Sequence, residues 1–478
     1  TDAYHTPLGD VAVNDHLRNE LCDEDDDIFL DDTGHYHTEG ADVQLPFLQR
    51  ALGHEFDAVP IVMGEESPAF CRELGAAVGE VVLGRRIGNR AMVWGAVAGT
   101  IPDMDVLGKY FLSELDNLAF HRGISHSLLF CVVGALVFGW VTDRLYRSPH
   151  HRWIAMATKA AAAVLIGFVV NFITQIVAPG VWLPVALYIP VAGYWLWRHA
   201  QKRYFNASWT APDADLKGWV LLFFWGFLTH TLLDCFTTYG TQLFAPFADT
   251  RVAWGTIAVA DPLWTFPFLA CLLVAARFAR EDSRRRLWNG IGLGWCCFYL
   301  ALTVVNHSRV HRTFEAALAE EERSYEKFHI TPTIFNNLLW NVVVDAGEEY
   351  LLAQHSILDE IPIAFHAVDK GYGLLHNLET DETLRVLRWF SAGYYNAVLR
   401  EDGGLQVNDL RFGTFSGRGT DADDYIFRFK LIDRGPNSAY GFERAQGGPP
   451  DTKAEDMMIG LFKRAGGLSP EDLPAGTP

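Results

Sequence analysis

Between about residue 124 and residue 306 the chain is dominated by long apolar runs, and these bound every fold it can adopt. Six stretches are long enough to cross a bilayer as helices: roughly 124–142, 154–177, 181–196, 216–236, 262–278 and 287–306. At about 1.5 Å rise per residue, ~20 apolar residues match the ~30 Å hydrocarbon layer. Trp153, Trp195, Trp197, Trp219 and Trp288 stand near the ends of these runs, where indole rings favour the membrane–water interface. An earlier run, Ala91 to Ile101, is short for a crossing. It is re-entrant, or it spans with help from Leu83 to Asn89, so the pattern predicts a polytopic domain of six or seven membrane helices.

Basic residues set the expected orientation. Arg144, Arg147 and Arg152 follow the first run, Arg198, Lys202 and Arg203 the third, and Arg280, Arg284, Arg285 and Arg286 the fifth. The intervening loops hold no basic residue in 177–181 and only Arg251 in 237–261. The basic loops are therefore expected on the cytoplasmic side of a cytoplasmic (inner) membrane, and the region after Asn306 outside. The net charge of −19 argues against a nucleic-acid partner. Cys131, Cys235, Cys271, Cys296 and Cys297 lie in apolar sequence without a CxxC pair, which argues against disulfides and an all-thiolate metal site.

The flanks read differently. Residues 1–73 form a truncated α/β segment: an acidic run at 23–27, a helical pattern at 43–51, a strand-like run at 58–63 and a helix start at Ser67-Pro68. No signal peptide is read there. After the membrane domain, 74–310, comes a soluble, mixed α/β, strand-rich domain at 311–445. Its strands are expected near 341–344, 361–366 and 425–431, with a helix near 379–390. The Gly- and Pro-rich tail, 446–478, reads as mostly disordered, with a short amphipathic turn around 457–464.

Three polar clusters border the apolar runs. In Pro102-Asp103-Met104-Asp105, extended backbone would turn both carboxylates to one side, toward one ion; a capped helix end is the plainer reading. In His121-Arg122-Gly123-Ile124-Ser125-His126 the histidines are five apart, so Gly123 must break the helix for them to converge. Interfacial side chains reaching for headgroups are the alternative. His230 and Asp234 lie four apart, one above the other on a helix face. That spacing suits a metal, or a buried pair that ties helices together or relays protons. By the charge-based topology all three clusters reach the outer leaflet, where Asp261 is placed to join them. Imidazole and carboxylate ligands suit a divalent ion, Zn before Mn or Fe.

The residues also resemble two known families. Leu74 to Glu80 (LGAAVGE), Leu83 to Asn89, Trp94-Gly95-Ala96, the Pro102-to-Asp105 cluster, His121 to Ser127 (HRGISHS), His230 to Phe247, Asp261-Pro262-Leu263 and Thr331-Pro332-Thr333 resemble the YdjM-like membrane proteins, over about residues 74–430. The resemblance implies a membrane-bound, metal-dependent hydrolase and leaves the substrate open. Thr6 to Asp10, Val43 to Gln49 and Val59 to Gly64 resemble the middle of Memo-family proteins, whose fold is similar to extradiol dioxygenases with a His, His, Cys metal set. Here Glu39 falls where the second His is expected, His37 is out of register, and the Cys-bearing half is missing. Residues 1–72 are therefore expected to contribute no chemistry.

The expectation is a hydrolase site at the outer leaflet, acting on a lipid-linked or phosphate-containing anionic substrate. Asp103, His121, His126, His230 and Asp234 are the candidate metal ligands, and Asp105, Arg122 and Ser125 the candidate catalytic residues, with Arg122 gripping an anionic group. The runner-up is a non-enzymatic membrane protein whose clusters are structural or relay protons. Memo-type chemistry ranks last.

Overall fold

The computed structural model describes residues 3–6, 9–12, 68–150, 153, 189–190, 192–194, 196–198, 201, 212–419, 421–435, 440–445 and 454–468. The expected runs at 154–177 and most of 181–196, and the elements at 43–51 and 58–63, lie outside the described residues. Two compact units emerge, one of residues 1–63, 141–213 and 453–455, the other of residues 64–140, 214–452 and 456–478. In the first, β1 (Ala3–Thr6) and β2 (Gly9–Ala12) form an antiparallel hairpin.

The second unit begins with α1 (Pro68–Ile87) and α2 (Asn89–Ala98). Gly75 and Gly79 on α1 lie against Gly95, Gly99 and Ala91 of the α2 segment so closely that a Cβ on any of the four glycines would strike the opposite backbone. Both segments carry a Gly-x-x-x-Gly spacing, which stacks the glycines on one helix face and lets two backbones meet. After α3 (Glu114–Phe120), α4 (Leu128–Arg147) and α5 (Leu216–Cys235) come α6 (Pro262–Ala276) and α7 (Ser283–Glu320). Asp215, Asp261 and Asp282 cap α5, α6 and α7 by accepting from backbone N–H groups of the first turn.

Three of these helices, α4, α5 and α7, are long and apolar enough to cross a membrane; α6, at 15 residues, is a shorter apolar helix. The expected crossings at 124–142, 216–236 and 287–306 thus fall on membrane-length helices. The first starts later than expected, at Leu128, because residues 124–126 form a 3-10 turn. The run at Ala91–Ile101 is only the ten residues of α2. Arg285, counted above among the loop cations, is buried: its Nε donates to Glu80 at 2.7 Å, and it also donates to the Phe278 carbonyl at 3.1 Å.

At 38 residues, about 57 Å long, α7 continues well past its apolar part. There Val310, Phe314 and Leu318 pack on Ile330, Trp340, Val342 and Val344. These belong to the antiparallel sheet β3 (Lys327–Pro332), β4 (Leu339–Asp345), β5 (Glu349–Ser356) and β6 (His366–Asp369), in that order. Next come α8 (Glu382–Phe390), β7 (Tyr395–Leu399), β8 (Leu405–Asp409), β9 (Arg428–Ile432) and β10 (Gly441–Ala445), the four strands forming a second antiparallel sheet. Val343 and Leu352 of the first sheet share a core with Tyr394, Leu410 and Tyr425, so β4 is buried on both faces and reads as a continuous apolar run. The expected strand at 361–366 is a correction: only His366 of it is extended, and the strand runs on to Asp369. Within the tail, 454–465 is a helix, α9, whose Arg464 forks onto the buried Asp359 at 2.5 and 2.6 Å.

The glycine contact makes a paired prediction. Gly79→Val or Gly95→Val should cost about 1–3 kcal/mol or more by overpacking. Gly294→Ala, on α7 with open space around its Cβ position, should be neutral or slightly stabilising. Thermal unfolding in detergent reads both; equal effects at the two places would refute the close contact.

Candidate metal centre

Asp103 and Asp105 stand on a 3-10 turn, Pro102–Tyr110, that follows α2. The turn is not extended, so residues two apart do not share a side; the two carboxylates divide their work. Asp103 joins His126, His230 and Asp234, whose ligand atoms all lie within 4.8 Å of one another. Asp105 grips the loop that carries the histidines. It accepts from the backbone N–H of Arg122 and from Ser125 Oγ, both at 2.8 Å, and its other oxygen meets His121 Nδ1 at 2.8 Å. That grip holds the helix break expected at Gly123: α3 ends at Phe120, and Arg122 takes a left-handed φ of 54°. Burial works to raise the Asp105 carboxyl, but its hydrogen bonds with His121 and His126 overcome this and hold it below the usual carboxylate range.

His126 Nε2 lies 3.0 Å from His230 Nε2, 3.4 Å from Asp103 Oδ1 and 3.3 Å from Asp234 Oδ2. His230 Nε2 lies 3.4 Å from Asp103 Oδ1 and 3.5 Å from Asp234 Oδ2. Ligands about 2.0–2.1 Å from a tetrahedral Zn stand roughly 3.3–3.4 Å apart, so these edges fit one ion. The partners on the far side of each ring fix the tautomers. His230 Nδ1 donates to the Gly99 carbonyl at 2.8 Å, and His126 Nδ1 faces Ser125 Oγ at 2.9 Å, whose own proton goes to Asp105. In neutral rings both Nε2 atoms then carry lone pairs facing each other and two carboxylates.

Charge makes the same demand. Asp103, Asp105 and Asp234 are buried, with Arg122 beside Asp234 Oδ2, and Asp103 Oδ2 has no hydrogen-bond donor. Burial disfavours the His126 imidazolium, but its bonds to Asp103, Asp105 and Asp234 push its pKa up to about 9. A divalent cation answers that same field.

The other expected residues fall around this core. His121 is outside the four-atom set and serves Asp105. Arg122 is buried, with Nε 3.2 Å from Asp234 Oδ2 and Nη1 donating to Thr237 Oγ1 at 3.0 Å, which places it behind Asp234. Asp261 does not join: one oxygen caps α6 at Leu263 N and the other accepts from Tyr299 OH at 2.7 Å. Sequence reasoning missed the Gly99 carbonyl and Arg251. Arg251 Nη2 donates to the carbonyls of Leu118 at 3.2 Å and His121 at 2.7 Å. Its guanidinium lies about 5 Å from the rings of Tyr239, Trp389 and Phe390, and burial pushes its pKa down to about 10. The available signal was its position as the lone basic residue of its loop.

Residues 73–180 and 182–310 match the model of the YdjM inner membrane protein family, so the middle of the chain is similar to that family. The match ends at 310, short of the expected 430. Residues 1–90 match the Memo-like protein family. A MEMO1 family protein of Thermoplasma acidophilum is 33% identical over 75 residues, and one of Sulfolobus acidocaldarius 34% over 79; each match covers 16% of this chain. The chain spans only 28% of the length of those relatives. No solved structure is significantly similar. The two family matches overlap over residues 73–90, from α1 into the start of α2.

Arg251→Gln should cost about 1–3 kcal/mol, because two part-buried carbonyls lose their donor, and should weaken metal binding by loosening the histidine loop. Unfolding and metal competition in detergent test it; unchanged affinity would refute the role. Deleting residues 1–66 should leave metal content intact, since every residue of the centre lies beyond them; loss of metal would count against this.

Proposed function

We propose that this YdjM-like region is a membrane-bound, metal-dependent hydrolase whose centre lies at the outer leaflet and whose substrate is lipid-linked or phosphate-containing. The observation that carries the metal reading is the approach of the His126 and His230 Nε2 atoms to 3.0 Å, converging with two carboxylate oxygens. Two ring nitrogens meet at this distance across a shared proton or a cation, and their convergence with two carboxylates favours the cation. His126, His230, Asp103 and Asp234 hold the ion, Zn before Mn or Fe, and Asp105 with Ser125 and Gly99 sets the ring orientations. When bound, a divalent ion supplies Lewis acidity and activates water near neutral pH. Asp105 is placed to take a proton through His121 or Ser125, and Arg122 holds Asp234 in its ligating position.

Exposed apolar side chains support the lipid-linked substrate. Met104, Leu107 and Phe111 project from the turn that carries Asp103, and Ile124 and Phe244 from segments bonded to the histidine loop. A second reading has its own support: four protein ligands fill a tetrahedral ion, as structural sites do. Hydrolysis requires one carboxylate to yield, or coordination to rise to five.

Metal analysis of detergent-purified protein, beside His126→Ala and His230→Ala, tests the proposal. We expect about one divalent ion per chain, lost in both variants while they stay folded. Metal-replete wild type without stoichiometric metal would overturn it and leave a non-enzymatic membrane protein in its place.

A further inference from the structure

We infer that the Cys71 thiol is a sulfur ligand of this centre, which makes it a mixed imidazole, carboxylate and thiolate site selective for thiophilic divalent ions. The inference rests on the metal reading above and deepens it.

Cys71 sits on α1 and is 1% exposed. Its Sγ stands outside the four converging atoms and donates toward Asp234 Oδ1 at 4.0 Å, on the carboxylate whose other oxygen faces His126 and His230, so the thiol must turn inward to reach the ion. Its backbone lies against Gly99, the residue whose carbonyl orients His230. The glycine contact between α1 and α2 therefore sets Cys71 and the His230 support on one wall. Two other buried thiols are engaged elsewhere: Cys131 pairs with Thr231 Oγ1, and Cys235 donates to the Thr231 carbonyl. Independently of the thiol, the buried Asp103 Oδ2 has no hydrogen-bond donor, which points to a cation among these groups.

Coordination forms a bond from a sulfur lone pair to the ion. The S–H bond breaks and its proton is released to solvent, as metal binding to thiols requires. A thiolate favours Zn, Co or Cd over Mn, Mg or Ca, so Cys71 would narrow the choice of ion. As a fifth donor it would also lift the site out of a closed four-ligand tetrahedron.

The test is Co2+ loading of the full-length, detergent-purified protein, read by absorption. We expect visible ligand-field bands together with a near-ultraviolet sulfur-to-cobalt charge-transfer band. In Cys71→Ser the charge-transfer band should vanish while the ligand-field bands persist; in Cys131→Ser both should remain. Ligand-field bands without charge transfer in the wild type would overturn the role of Cys71 and leave the metal centre standing. Failure of the wild type to bind Co2+ or Zn2+ would overturn the metal reading itself. The wild-type spectrum decides the matter even where the Cys71 variant does not fold.

Discussion

Everything at the centre depends on two helices meeting backbone to backbone. The four glycines of α1 and α2 leave no room for a side chain between them. In a bilayer the lipid tails are as apolar as the protein, so close van der Waals approach is what holds such helices together. The contact fixes where α2 ends, and therefore where the Gly99 carbonyl stands and where the turn bearing Asp103 and Asp105 begins. Gly226 of α5 comes close to Ala98 in the same way, which brings His230 within reach of that carbonyl.

On that frame the centre is a problem of charge. Three buried carboxylates outnumber the one guanidinium, so the two imidazoles that face them must take up protons or bind a cation. Asp105 makes this arrangement possible by holding a backbone N–H, a hydroxyl and an imidazole at once. It acts behind the ligands, and its removal would release the loop, the tautomer of His126 and the position of His121 together.

Much of this was legible in the sequence because it is local. The i, i+4 pair His230 and Asp234, the helix break at Gly123 and the apolar length of α4, α5 and α7 are all short-range patterns. Asp103 and Asp105 were found for partly the wrong reason, since the backbone there is a 3-10 turn and splits them between two tasks. Asp261 was misplaced because an N-capping carboxylate and a ligand look the same in one dimension. Arg251 and Cys71 depend on contacts across more than 100 residues, which spacing does not reveal. The strand at 361–366 failed for another reason: an apolar run marks burial or interface as readily as it marks a strand.

Arg251 bridges the histidine loop and α8: it holds the His121 carbonyl 130 residues back along the chain, and its aromatic cage includes Trp389 and Phe390. The Trp389 indole in turn donates to the Asp249 carbonyl, 140 residues away. Contacts of such separation close large loops and form late in folding. The metal centre consequently becomes a reporter on biosynthesis: its ligands are all synthesised by residue 234, yet their loop is braced only once the last third of the chain has folded. A truncated or stalled chain would carry every ligand and still lack the finished cage.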